Sequence, residues 1–111
     1  MAKKAVALHL VEKGLHEKNL HEVKDFPGEW SSGYWVVGEK TASQLVGCKI
    51  YLHKGQKFNS HMGGEIISWS PASGENSKRK IFRFRVLTDC AGVPSPEQGW
   101  GNEKCIIWKE E

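Results

Sequence analysis

Through "KRKIFRFRVL", residues 78–87, polar and apolar positions follow a strict period of two. Lys80, Phe82, Phe84 and Val86 fall on one side, and Arg79, Ile81, Arg83 and Arg85 on the other. That is the pattern of a strand with one face in the core, here with a ladder of guanidinium groups on its back. "AVALHLV" (Ala5 to Val11) repeats the period, with Val6, Leu8 and Leu10 on one face and His9 on the opposite one. "CKIYLH" sets Cys48, Ile50 and Leu52 against Lys49, Tyr51 and His53, while "YWVVG", "EIISWS" and "KCIIWKEE" supply further strands. In "KTASQLVG", Thr41 is predicted to cap a short helix, Ala42, Leu45 and Val46 to form its apolar stripe, and Gly47 to end it. "EKGLHEKNLHEVKDFPGEWSSG" is broken by Gly14, Pro27 and Gly28 and reads as loop, with one helical turn around Leu15 to Val23. "TDCAGVPSPEQGWGNE" is a long loop. Five to six mostly antiparallel strands with one or two short helices imply a mainly β (α+β) fold, a small antiparallel barrel or strongly coiled sheet.

At 111 residues the chain is expected to be a single domain, 1–111, that buries roughly 65% of its extended-chain surface without staples. Its three cysteines, Cys48, Cys90 and Cys105, are an odd number without CxxC spacing, and "MAKKAVALHLVEKG" has too short an apolar run for a secretion signal. A reduced, soluble, cytoplasmic and monomeric protein is expected, with no membrane partner. Walker-type, GxSxG and HExxH patterns are missing, and so is any paired-ligand spacing, so neither metal nor other cofactor is expected.

Charge changes the picture through its distribution. Residues 1–39 carry a net −1, residues 40–88 a net +7 and residues 89–111 a net −3. A local field of that kind concentrates anionic partners, provided the acidic ends do not fold back over it. The middle segment also holds the loop of "IYLHKGQKFNSHMGGEIISW", where His53, Lys54, Lys57, Asn59, Ser60 and His61 lead into Gly63 and Gly64. Donors around glycines that let a ligand approach the main chain suit a phosphate or a base edge. A bulge at the glycine pair with solvated lysines is the competing reading.

Of five tryptophans, Trp35, Trp69 and Trp108 sit on strands and read as core, whereas Trp30 and Trp100 sit in Gly/Ser/Pro-rich loops. A loop tryptophan is either a lid on the core or a platform for a base. Arginines on one side of a strand suit phosphate contacts, unless they are ion-paired to the acidic ends.

The order strand, short helix, then "LVGCKIYLHKGQ", "GGEIISW" and "IFRFRVL" resembles the PUA-like superfamily, its EVE and ASCH branches in particular. Tyr51-Leu52-His53 and Gly64-Glu65-Ile66 stand where EVE domains carry an aromatic-x-His strand end and a glycine entering the next strand. "GYWVV" is similar to their tryptophan-bearing strand, and the likeness spans residues 33 to 88. Lys54-Gly55 replaces the Ser-Asn that often follows that histidine, and the G-x-K-x-x-E-x-R signature of ASCH domains is absent. The resemblance implies a compact pseudo-barrel whose cleft binds RNA or DNA, in some relatives around a modified or flipped base.

The resulting expectation is a nucleic-acid-binding module without catalysis of its own. Gly63, Gly64, Trp30 and Trp100 would line a pocket for one base. Lys54, Lys57, Arg83 and Arg85 would hold phosphates, and His53, Asn59 and Ser60, with His61 beside them, would read base edges. Two alternatives remain: a small hydrolase of a nucleoside or RNA with His53 or His61 as general base, and a protein-interaction module of a larger modification or defence enzyme.

Overall fold

The alternating segments found along the sequence become the ladders of one sheet. The computed structural model of the protein describes residues 3–12, 20–72, 79–101 and 103–110. The elements are β1 (Lys3–Val11), β2 (Leu20–Glu22), β3 (Glu29–Val36), α1 (Glu39–Leu45), β4 (Lys49–His53), β5 (Ser60–Pro71), β6 (Arg79–Val86) and β7 (Lys104–Glu110), with a 3-10 turn at Thr88–Cys90. The strands form one seven-stranded sheet in the order β2-β3-β6-β5-β4-β1-β7. The protein is therefore mainly β with a single α-helix among the described residues. More residues pair than the sequence pattern predicts, among them Ser60–Gly64, which open β5. β3 starts at Glu29 rather than Tyr34, and Leu20–Glu22, expected as part of a helical turn, instead pairs with Ser32, Ser31 and Trp30. The rest of that turn, residues 13–19, lies outside the described residues.

Register explains which side chains are inside. In β6, Lys80, Phe82 and Phe84 are buried while Arg79 and Arg85 are exposed, as alternation requires. β1 departs from simple alternation. A register shift between Ala5 and Ala7 turns the strand over, so Ala5 rather than Val6 joins Leu8 and Leu10 in the core. Ile50, Leu52, Ile66, Phe82 and Phe84 complete the inner face with zero exposure, each burial contributing about 1.5–3 kcal/mol. The Lys80 ammonium lies over the ring of Trp69, 5.5 Å from its centre.

Helix α1 closes one end of this core with Ala42 and Leu45. Its N-cap is Gly38, with no side-chain cap, and Thr41 sits within the first turn. Val46 lies past the helix and is exposed, while Gly47, at φ +89°, takes the left-handed conformation that turns the chain into β4. No helix among the described residues is long and apolar enough to cross a membrane.

The sheet coils until its two ends approach each other. Lys104 of β7 donates its ammonium to the Val36 carbonyl of β3, and Ser32 of β3 donates to the Glu12 carboxylate just beyond β1, at 3.3 Å. These are side-chain bridges. Among the described residues β7 has a backbone ladder with β1 alone, so the coil is not a closed barrel. The outer face is covered over β4 and β5 by residues 87–101, through Leu87 N–H to Gly63 O and Ser60 N–H to Val93 O.

Candidate nucleic-acid interface

The glycine pair belongs to β5 rather than to a loop. Gly63 faces Tyr51, and Gly64 faces Ile50 and Val86. A Cβ on Gly63 would stand well under 3.0 Å from the Ile50 carbonyl oxygen, and one on Gly64 equally close to that of Arg85. These glycines let neighbouring backbones come close. The space beside them is filled by the protein's own main chain, so they do not floor an open pocket.

His53 is wholly buried. Its Nδ1 lies 2.8 Å from the Phe58 carbonyl, so that nitrogen carries the proton and donates. Its Nε2 then accepts from His9 Nδ1, also at 2.8 Å. Tyr51 stacks on His9 with ring centres 4.6 Å apart, and Trp100 meets both imidazoles edge-on. Burial pushes His9 down to about 4, with His53 adding to the effect; burial lowers His53 as well. The pair is neutral at pH 7. His9 has no motif around it, and only the pairing of β1 with β4 brings it to His53.

Ser60 is buried too, donating to the Cys90 carbonyl and accepting from Val93 N–H. His61 bonds through Nε2 to the Glu12 carbonyl. Trp100 lies against the histidines and donates to the Pro96 carbonyl at 3.0 Å, which makes it a lid on the histidine pair. Of the loop residues expected to read bases, Asn59 is exposed, as are Lys54 and Lys57.

The remaining expected residues lie on opposite faces of the sheet. Trp30 pairs with Phe84 and packs against the core from within. Arg83 and Arg85 project outward and share Glu29, with Arg83 bound at 2.6 Å and Arg85 at 3.7 Å. Arg83 also lies over the Phe26 ring. The twelve residues named from sequence therefore do not converge on one hollow. Trp108, read as core, is 45% exposed.

A cleft does exist where the ends of the sheet meet. It has a volume of about 530 Å³ and is lined by Trp35, Val36, Arg79, Gly101, Glu103 and Lys104. Trp35 is its apolar floor, only 6% exposed, held by a hydrogen bond from its indole N–H to Ser32. Arg79 donates to the Tyr34 carbonyl and Lys104 to that of Val36, and neither is ion-paired to a described carboxylate. Burial lowers the Lys104 ammonium from its ordinary value, and the Arg79 charge lowers it further. The loop of Lys54 and Lys57 is tied to the same end, since Gln56 donates to the Gly101 carbonyl and its own carbonyl accepts from Ser95. Beside those lysines Phe58 exposes 64% of its surface. Sequence reasoning named Arg79 as one rung of an outer ladder and passed over Lys104. Their meeting depends on the coil of the sheet, which no local pattern encodes.

Comparison with protein-family models, with curated proteins and with solved structures finds no match for this chain.

Proposed function

We propose that the protein is a nucleic-acid-binding module of PUA-like kind that grips backbone phosphate between Arg79 and Lys104. The observation that carries this reading is the convergence of two cations, Arg79 and Lys104, on one cleft whose single lining carboxylate, Glu103, is ion-paired to neither. Two like charges held together destabilise each other, and a phosphate placed between them relieves both. Lys54 and Lys57 extend the positive rim, and the exposed Phe58 ring offers a stacking surface beside them. The coiled sheet, with ends that meet at Lys104 and Val36, agrees with a pseudo-barrel. Base recognition in a glycine-lined pocket has no support in the positions of Gly63 and Gly64, so the reading rests on phosphate contacts.

A hydrolase using His53 is disfavoured by the hydrogen bonds at that residue. Both ring nitrogens are occupied by protein groups, which leaves none to activate water.

The test is a titration of labelled single-stranded RNA and DNA by anisotropy over a range of salt concentrations. Arg79→Ala with Lys104→Ala should weaken binding and reduce the salt slope by about 0.7 for each lost contact. An unchanged affinity and slope would remove the cleft from the interface.

A further inference from the structure

A second hollow lies on the outer face of the sheet, and β6 contributes a residue to both it and the cleft. Its volume is about 550 Å³, and its lining includes His21, Lys24, Ser31, Ser68, Ser70 and Arg83. Four of these form a row across four neighbouring strands: His21 of β2 is in register with Ser31 of β3, Ser31 with Arg83 of β6, and Arg83 with Ser68 of β5. Arg79, which lines the cleft, and Arg83, which lines the hollow, are on the same face of β6. Their Cα atoms are about 13 Å apart at strand rise.

The chemistry of this row is that of an anion track. Ser31, Ser68 and Ser70 have no hydrogen bond to another described side chain, so their hydroxyls are open to a ligand. Arg83 is held in place by Glu29 on one edge and Phe26 on its face. One carboxylate, Glu29, faces two guanidinium groups, which leaves a net positive charge on this part of the sheet. Glu22 also lines the hollow, where its carboxylate accepts from the Gly28 N–H at 3.3 Å and offsets the charge of Lys24, so the excess is that of one guanidinium group. The next row, Glu29, Arg85, Glu65 and Lys49, alternates in sign across the sheet and is balanced. With Glu29 set against Arg85 in that row, Arg83 is the one guanidinium left over in the row of His21, Ser31 and Ser68.

Resting on the nucleic-acid reading above, we infer that a single strand runs from the Arg79–Lys104 cleft along the outer face of β6 into the groove of Ser31, Ser68 and Arg83. An extended strand can present a phosphate or sugar hydroxyl at each rung of the row. A rigid duplex meets the groove only at its edge.

The test compares oligouridylate of two and about eight nucleotides, and a duplex of the longer length, against the protein and its variants. The eight-nucleotide strand should bind at least tenfold more tightly than the dinucleotide and than the duplex. Ser68→Asp and Ser70→Asp, both at exposed positions, should bring the longer strand close to the affinity of the dinucleotide while leaving dinucleotide binding unchanged. Equal affinity for the two lengths, an equally bound duplex, or insensitivity to both substitutions would overturn the track and leave the cleft intact. Arg79→Ala with Lys104→Ala should weaken both lengths. If neither length binds the unaltered protein, the cleft reading fails and takes the track with it.

Discussion

His9 Nδ1 and His53 Nε2 lie 2.8 Å apart, and the bond between them joins β1 to the end of β4. Because His53 uses its own proton on the Phe58 carbonyl, the pair holds together with both rings neutral. A proton added to His53 would set two N–H groups against each other. The unfolded chain takes up protons on these rings near pH 6.5, whereas His9 resists until about 4. Between those values the unfolded state binds more protons, so stability falls as the pH drops through that window and levels off below it. The loss from His9 alone is on the order of 3 kcal/mol, and His53 acts in the same direction. Urea midpoints measured from pH 7 to pH 4 should show the decline. A flat profile would mean that the pair is charged or open in solution.

Replacing His53 by leucine keeps the volume but leaves His9 N–H and the Phe58 carbonyl without partners. Unsatisfied buried groups cost about 1–3 kcal/mol each, so His53→Leu should lower stability by about 2–4 kcal/mol. The loop of residues 54–59 should also become sensitive to protease. A change under about 0.5 kcal/mol would show that the bond contributes nothing net.

Gly63→Ala and Gly64→Ala both push a methyl group into a neighbouring carbonyl. Neither carbonyl is at the end of a flexible side chain, so strands β4 and β6 must move away from β5. Each substitution should cost more than about 4 kcal/mol, in the range reserved for strained backbone sites, and reduce soluble yield. Gly38→Ala serves as the comparison, since its Cβ meets nothing within 4 Å. A loss of about 1 kcal/mol or less is expected there, from the poorer N-cap. Equal, small effects at all three sites would contradict the close strand approach.

Glu29→Gln removes the one carboxylate that Arg83 and Arg85 share. Both guanidinium groups are then free for phosphate, and affinity for single-stranded nucleic acid should rise several-fold, with a steeper salt slope of up to about 0.7 per arginine engaged. Weaker binding instead would show that Glu29 positions Arg83 more than it neutralises it.

The strands were legible wherever one face is solvated. Phe82 and Phe84 against Arg83 and Arg85, and Ile50 and Leu52 against Lys49 and Tyr51, carry the period of two in their chemistry. β2 was not, because Leu20–Glu22 is too short for a pattern and exists only by pairing with β3. The covered outer face was hidden for a related reason. Its lid of residues 87–101 is irregular chain, and it buries His53, Ser60 and Cys90, residue types that look solvent-facing or reactive in a sequence. Gly63-Gly64 is an unusual pair, but close strand packing and ligand access leave the same mark on a sequence. The Arg79–Lys104 cleft depends on a tertiary seam and had no signal of its own beyond the excess of cations in the middle of the chain.

β1 lies between β4, its parallel neighbour, and β7, its antiparallel one. On a ribosome, the first described strand therefore emerges long before either of its partners, and the last of them is the final described segment to appear. Leu8 and Leu10 cannot be enclosed on both sides until the chain through Glu110 has been made. Long-range closures of this kind slow folding. The nascent chain therefore carries β1 with one edge unpaired from the emergence of β4 until that of β7, and an open apolar edge is a template for mispairing.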